Sequence, residues 1–88
     1  MLEKIKTSLR ISNSKFDGEI IELIEACKMD LRLAGVKNID ENNSLIIFII
    51  TIFCKANFGL SNDEADRFQK LYTSTKQYLS LCGEANVI

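Results

Sequence analysis

The residues best equipped for chemistry in this chain are its three cysteines and twelve carboxylates, and they come without a single histidine. Cys27, Cys54 and Cys82 stand 27 and 28 residues apart. Zinc sites bring their ligands in close pairs and usually mix thiolate with imidazole; this spacing matches neither habit. The opening Met1-Leu2-Glu3-Lys4 is not a basic segment leading into an apolar stretch, so no signal peptide is expected. Scattered thiols in such a chain read as reduced cysteines of a cytosol, used as small apolar packing groups. Without histidine the commonest general base is missing. No Gly-rich phosphate loop is present. The carboxylates on the helices fall mostly on faces that water should cover. Asp40-Glu41-Asn42-Asn43 lacks the alternating ligands, central glycine and closing glutamate of a calcium loop, and reads as turn and cap. The expectation is a protein without catalysis, cofactor or metal.

What remains conspicuous is apolar. Leu45 to Cys54 reads Leu-Ile-Ile-Phe-Ile-Ile-Thr-Ile-Phe-Cys, with one polar side chain and no charge. As a helix this run covers about 15 Å, against roughly 30 Å of bilayer hydrocarbon, and Lys55 closes it at once. It is not a membrane span, and the chain reads as soluble and intracellular. A helix apolar on nearly every side must be buried all round, within its own fold or partly against another chain. In 88 residues there is little interior to wrap around it, so self-association becomes a question.

The elements that would position this run follow from punctuation and period. At 47% hydrophobic and 26% charged the chain is ordinary globular material, long enough for one domain spanning residues 1–88. A net charge of −1 and a pI near 5.4 argue against a nucleic-acid clamp. No proline and only four glycines leave few breaks. The first helix, about Leu2 to Arg10, carries Leu2, Ile5 and Leu9 as a short apolar stripe. Ser12-Asn13-Ser14 supplies a break and a choice of N-cap. The second helix, about Lys15 to Ala34, puts Ile20, Ile24, Cys27, Leu31 and Ala34 on one face, with Glu22, Glu25, Lys28 and Arg32 on the other. Gly35 sits where a left-handed residue ends a helix.

Lys37 to Asn42 is a polar connector, and Asn43 caps the third helix, about Ser44 to Asn57. Its isoleucines favour strand on propensity. Helix is still predicted, because no second strand-like run exists to satisfy an isolated strand's backbone. The fourth helix starts at Ser61, where Ser61 and Glu64 form a capping box. Ala65, Phe68, Tyr72, Thr75, Leu79 and Cys82 then repeat at three and four, while Asp63–Arg67 and Asp66–Lys70 pair on the wet face. Gly83 ends it. The fold class is all-α: a compact bundle of about four helices, one short and three longer.

On a wheel of the third helix, Leu45, Ile49, Ile52, Ala56 and nearby Phe53 cluster on one side. Ser44, Thr51 and Lys55 mark the other, flanked by Ile47 and Phe48. The predicted core is Ile20, Ile24, Cys27, Leu31, Leu45, Ile49, Ile52, Phe68, Tyr72 and Leu79. Ile47 and Phe48 either pack beneath the first helix or the 36–43 connector, or join Thr51 and Lys55 in an intermolecular patch. The patch is the preferred reading.

Three stretches carry a family pattern: Leu31-Arg32-Leu33-Ala34-Gly35-Val36; Lys55-Ala56-Asn57-Phe58-Gly59; and Glu64-Ala65-Asp66-Arg67-Phe68 with Tyr72 and Leu79-Ser80-Leu81-Cys82-Gly83. The chain resembles, over nearly its whole length, the small head–tail connector proteins of tailed phages and prophages, sometimes labelled DNA-packaging proteins. The resemblance implies a structural role: a cyclic, head-to-tail ring of copies beneath the portal, extending the DNA channel and offering the tail a platform. Implied partners are further copies, the portal protein, a downstream head-completion or tail protein, and passing DNA held without sequence specificity. The implied location is the host bacterial cytoplasm during assembly, then the head–tail junction of the virion. Relatives tend to begin the third helix with Asp-Pro and basic residues soon after. Here Asn43-Ser44 keeps the cap without proline, and Ile47-Phe48 stands where charge is expected.

Two other classes compete. A small DNA-binding or packaging-regulatory protein would show salt-sensitive DNA binding, and the missing basic stripe disfavours it. A toxin–antitoxin or other host-interaction module shares the generic helical build, and neighbouring portal and capsid genes would separate it from a connector.

Overall fold

The computed structural model describes residues 1–58 and 62–81, and among these the chain forms four helices and no strand. They are α1 (Leu2–Leu9), α2 (Asp17–Leu33), α3 (Ser44–Asn57) and α4 (Asn62–Leu81). The expected all-α bundle is what the chain builds, with α2 slightly shorter at each end than its periodicity suggested. The Ser61–Glu64 capping box, Gly59, Cys82 and Gly83 involve positions outside the described residues.

Local chemistry fixes most of the boundaries. Asn43 is extended, and its side-chain oxygen accepts from the backbone N–H of Leu45 at 2.8 Å and of Ile46 at 3.3 Å. Two of the four orphan donors of α3 are thereby satisfied. At the end of α2, Gly35 takes φ +101°, Gly35 N–H donates to Arg32 O, and Val36 N–H donates to Leu31 O. This is a Schellman closure, and buried Val36 and Leu31 supply its apolar contact. The end of α1 has the same wrap without a glycine: Arg10 adopts φ 61° while Ile11 N–H donates back to Lys6 O. A side chain in that conformation costs roughly 1–2 kcal/mol.

The start of α2 departs from expectation. None of Ser12, Asn13 and Ser14 caps it with a side chain; the N-cap position is Phe16. Asn13 instead accepts from Lys15 N–H, and the Ser14 carbonyl accepts from Asp17 N–H, so the polar triplet builds a turn ahead of the helix. Asp17 and Glu19 place negative charge in the first turn, where the helix dipole favours it. Lys6 of α1 lies 2.9 Å from an Asp17 oxygen, a charge contact without hydrogen-bond alignment.

Helix α3 is the centre of the molecule, packed against α1, α2 and α4. The Phe53 ring meets Tyr72 at 5.0 Å and Lys55 lies over Phe68, so α3 and α4 run antiparallel. Cys27 and Asp30 of α2 reach Tyr72 and Lys76 of α4. Eight of the residues expected in the core are buried: Ile20, Ile24, Cys27, Leu31, Ile49, Ile52, Tyr72 and Leu79. Leu45 and Phe68 are half-buried at its rim. Ile46, Ile50 and Cys54, a row of i+4 spacing outside the expected α3 face, are buried as well. Neighbours on several sides bury far more of the α3 circumference than one stripe. Full burial stabilises each isoleucine by about 1.5–3 kcal/mol, against a β-propensity scale spanning only about 1 kcal/mol. Packing decides for helix.

On the wet face of α4 the expected Asp63–Arg67 and Asp66–Lys70 ion pairs are not formed among the described residues. Arg67 lies over the Phe68 ring instead, an aromatic contact that competes with a pair worth only tenths of a kcal/mol. Lys28 likewise leaves the open face of α2 and reaches Glu41 of the connector at 2.6 Å. No helix among the described residues is long and apolar enough to cross a membrane.

Candidate assembly surface

The solvent-facing arc of α3 is narrow. Phe48, Thr51 and Lys55 fall within it, with Ile47 at its edge beside the buried Cys54, while Ile46, Ile49 and Ile50 point inward. Phe48 is 45% exposed, while Ile47, Thr51 and Lys55 are half-buried. The Thr51 hydroxyl donates to the Ile47 carbonyl one turn back, at 2.7 Å. Its polar group is thus satisfied within the helix, and covering this strip would strand no hydroxyl. Lys55 lays its ammonium 5.4 Å from the centre of the Phe68 ring. The strip therefore runs from an exposed aromatic at the N-terminal end of α3 to a cation held on another aromatic at the C-terminal end.

Two further sets of exposed apolar side chains escaped the sequence reading. Leu71, Tyr78 and Leu81 lie along one flank of α4, and Ile21, Met29 and Leu33 form a ridge of i+4 steps on the outer face of α2, interrupted by Glu25. The antiparallel register places Phe48 in the same stretch of the bundle as Tyr78. The α2 ridge was hidden by its neighbours: Glu22, Glu25 and Arg32 make that face read as polar. A sum of charges over a face overlooks a row of apolar residues running obliquely across it.

A cleft of about 560 Å³ opens where the C-terminal ends of α1 and α3 meet the first turn of α4. Its apolar lining comes from Leu9, Ile11, Phe58 and Phe68, and its charges from Arg10, Lys55 and Glu64. Phe58 is steadied by an edge-on contact with Phe16 at 5.5 Å.

The titratable groups between α2 and α4 form a structural network. Tyr72 donates to Asp30 at 2.6 Å, Lys76 donates to the same oxygen at 2.9 Å, and the Cys27 thiol faces the Tyr72 hydroxyl at 3.8 Å. The Tyr72 bond, then Lys76, holds the Asp30 carboxyl below the usual carboxylate range. Burial, then Asp30, pushes Tyr72 up. Burial pushes the thiols of Cys27 and Cys54 up to about 12. These thiols stay protonated at neutral pH and lack the thiolate that nucleophilic chemistry needs. Lys28 and Glu41 hold each other charged, the lysine raised and the glutamate lowered by their hydrogen bond. Among the described residues no group of three His, Cys, Asp or Glu is placed to hold a metal ion.

Compared with known proteins, residues 1–86 match the model of a family described as phage connector protein. No curated protein and no solved structure matches the chain.

Proposed function

The chain belongs to the phage connector protein family, and from that premise we propose that it assembles as a ring on the portal. There it joins the DNA-filled head to the tail and extends the DNA channel. The observation that carries this reading is the family match over residues 1–86. The α3 strip of Ile47, Phe48, Thr51 and Lys55 supports it, because the subunit leaves Phe48 exposed and the other three only half-covered. A ring with head-to-tail contacts needs two different patches per subunit, and the exposed rows of α2 and of α3–α4 lie on different helices. Its partners are further copies, the portal protein and a downstream head-completion or tail protein. DNA passes through without sequence readout, consistent with a chain of net charge −1. On this reading the protein works in the host cytoplasm during assembly and ends at the head–tail junction. Association costs translational and rotational freedom, so copies that stay monomeric in solution and order only on the portal fit the proposal.

The test is electron microscopy of lysate from induced cells carrying a stop codon in this gene. Filled or leaking heads beside unattached tails are expected. Intact tailed particles refute the connector role.

A further inference from the structure

We propose that the cleft between the ends of α1 and α3 and the start of α4 receives a short segment of a partner protein, in which a large apolar side chain is flanked by carboxylates. Three observations converge on that chemistry. The first is size and lining: about 560 Å³ lies within the ordinary range of about 300–1,000 Å³ for ligand pockets. Its floor is aliphatic and aromatic, from Leu9, Ile11, Phe58 and Phe68. That floor suits one inserted aromatic or leucine side chain.

The second is charge. Arg10 and Lys55 line the cleft, and Arg67 joins Lys55 over the Phe68 ring, each 5.4 Å from its centre. Lys6, Lys28 and Lys76 are the cations engaged in ion pairs among the described residues, while Arg10, Lys55 and Arg67 have no carboxylate within ion-pair distance there. Among the described lining residues Arg10 and Lys55 stand against Glu64 alone, whereas Arg67 has Asp63 and Asp66 close by in its own helix. A local cationic surplus on a chain of net charge −1 is complementary to carboxylates. The apolar lining fits a peptide side chain better than a phosphate backbone.

The third is the backbone of Arg10. It closes α1 at φ 61°, a conformation glycine takes without strain, as Gly35 does at the end of α2. An arginine held there against its own preference, at the mouth of an apolar cleft, is strain of the kind found at binding sites. The guanidinium is also the side chain best shaped for two-point capture of a carboxylate.

The proposal is independent of the connector reading: it is decided on the free protein in solution, and failure of either leaves the other standing. The experiment is an NMR titration of the full-length chain with the blocked peptide Ac-Glu-Leu-Phe-Glu-NH2. Its charge-reversed counterpart Ac-Lys-Leu-Phe-Lys-NH2 and a short DNA duplex serve as controls. Saturable shifts are expected at the amides of Leu9, Arg10, Ile11, Phe58 and Phe68, with the lysine peptide about tenfold weaker or more. Arg10→Gly should weaken the acidic peptide about tenfold while leaving the melting temperature unchanged or raised, since the backbone strain is relieved. Lys55→Gln should weaken it as well. The proposal fails if millimolar acidic peptide gives no saturable shift, if both peptides bind alike, if neither variant changes binding, or if the duplex shifts these amides more strongly than the peptide.

Discussion

Replacing Tyr72 with phenylalanine isolates one oxygen at the junction of α2 and α4. Tyr72 is 2% exposed, and its ring meets Phe53 in a tilted contact at 5.0 Å; phenylalanine keeps both features. What is lost is the hydroxyl bond to Asp30 at 2.6 Å and the acceptor for the Cys27 thiol. A hydrogen bond to a charged group contributes about 1.5–3 kcal/mol. Asp30 keeps Lys76 at 2.9 Å, and its side chain is 39% exposed, so water replaces part of the loss. The expected cost at neutral pH is about 1.5 kcal/mol, the low end of that range, or roughly 6–12 °C in a domain this small. The pH dependence has a definite sign. Folded Asp30 titrates below its unfolded value of about 3.9, first because of Tyr72. Its stabilisation is therefore full above that value and disappears as pH falls through the folded pKa. The gap between parent and Tyr72→Phe should close in acid. Urea melts of the parent, Tyr72→Phe, Asp30→Asn and the double variant, at pH 7 and at about pH 3, measure the coupling directly. A Tyr72→Phe cost that is the same in the Asp30→Asn background would refute the network.

In alkali, Cys27 and Cys54, pushed up to about 12 by burial, keep protons that the unfolded chain releases above about 8.5. Stability should fall with rising pH, each thiol steepening the slope by up to about 1.4 kcal/mol per pH unit. Tyr72 and Lys28, also raised, join above about pH 10; urea midpoints unchanged between neutral pH and pH 10.5 would overturn this. Gly35→Ala puts a methyl at φ +101° with nothing within 4 Å of it, so the cost is backbone strain alone, about 1–2 kcal/mol. A variant as stable as the parent in urea would contradict the left-handed closure of α2. Phe48→Glu, at a residue 45% exposed, should lower stability by about 1 kcal/mol or less and block joining of heads to tails. A severe drop in melting temperature would assign Phe48 to the core instead.

Much of the architecture was legible because it is written in short-range chemistry. Asn43 ahead of the apolar run, Gly35 behind the α2 stripe and the step pattern of Ile20, Ile24, Cys27 and Leu31 act within a turn or two of themselves. The extent of burial round α3 was less legible. Its near-uniform apolar character and the thiol of Cys54 pointed to burial on several sides, but the wheel did not show how many neighbours would close round it, so Ile46 and Ile50 were not named in the expected core. The start of α2 misled because three capping residue types in a row compete for one role, and here a turn satisfied them. The cleft was not legible at all. Leu9, Arg10 and Ile11 meet Phe58 and Phe68 only through the packing of α1 against the others, and no spacing in the sequence records that meeting.

The burial of α3 also sets how this protein fails. Ile46 to Phe53 is a run of aromatic and β-branched residues without proline or charge, the signature of segments that stack into cross-β fibrils once exposed. In the native molecule its backbone is consumed by the helix, and Ile46, Ile49, Ile50 and Ile52 are buried against three neighbouring helices. An excursion that opens α3 presents a flat, adhesive strand to any other open copy, and that encounter scales with concentration, whereas reclosing does not. Unfolding of dilute chains should therefore reverse, and unfolding of concentrated ones should end in precipitate. Variants that loosen the bundle by a few kcal/mol will be recognised in cells by insolubility before any loss of assembly can be scored.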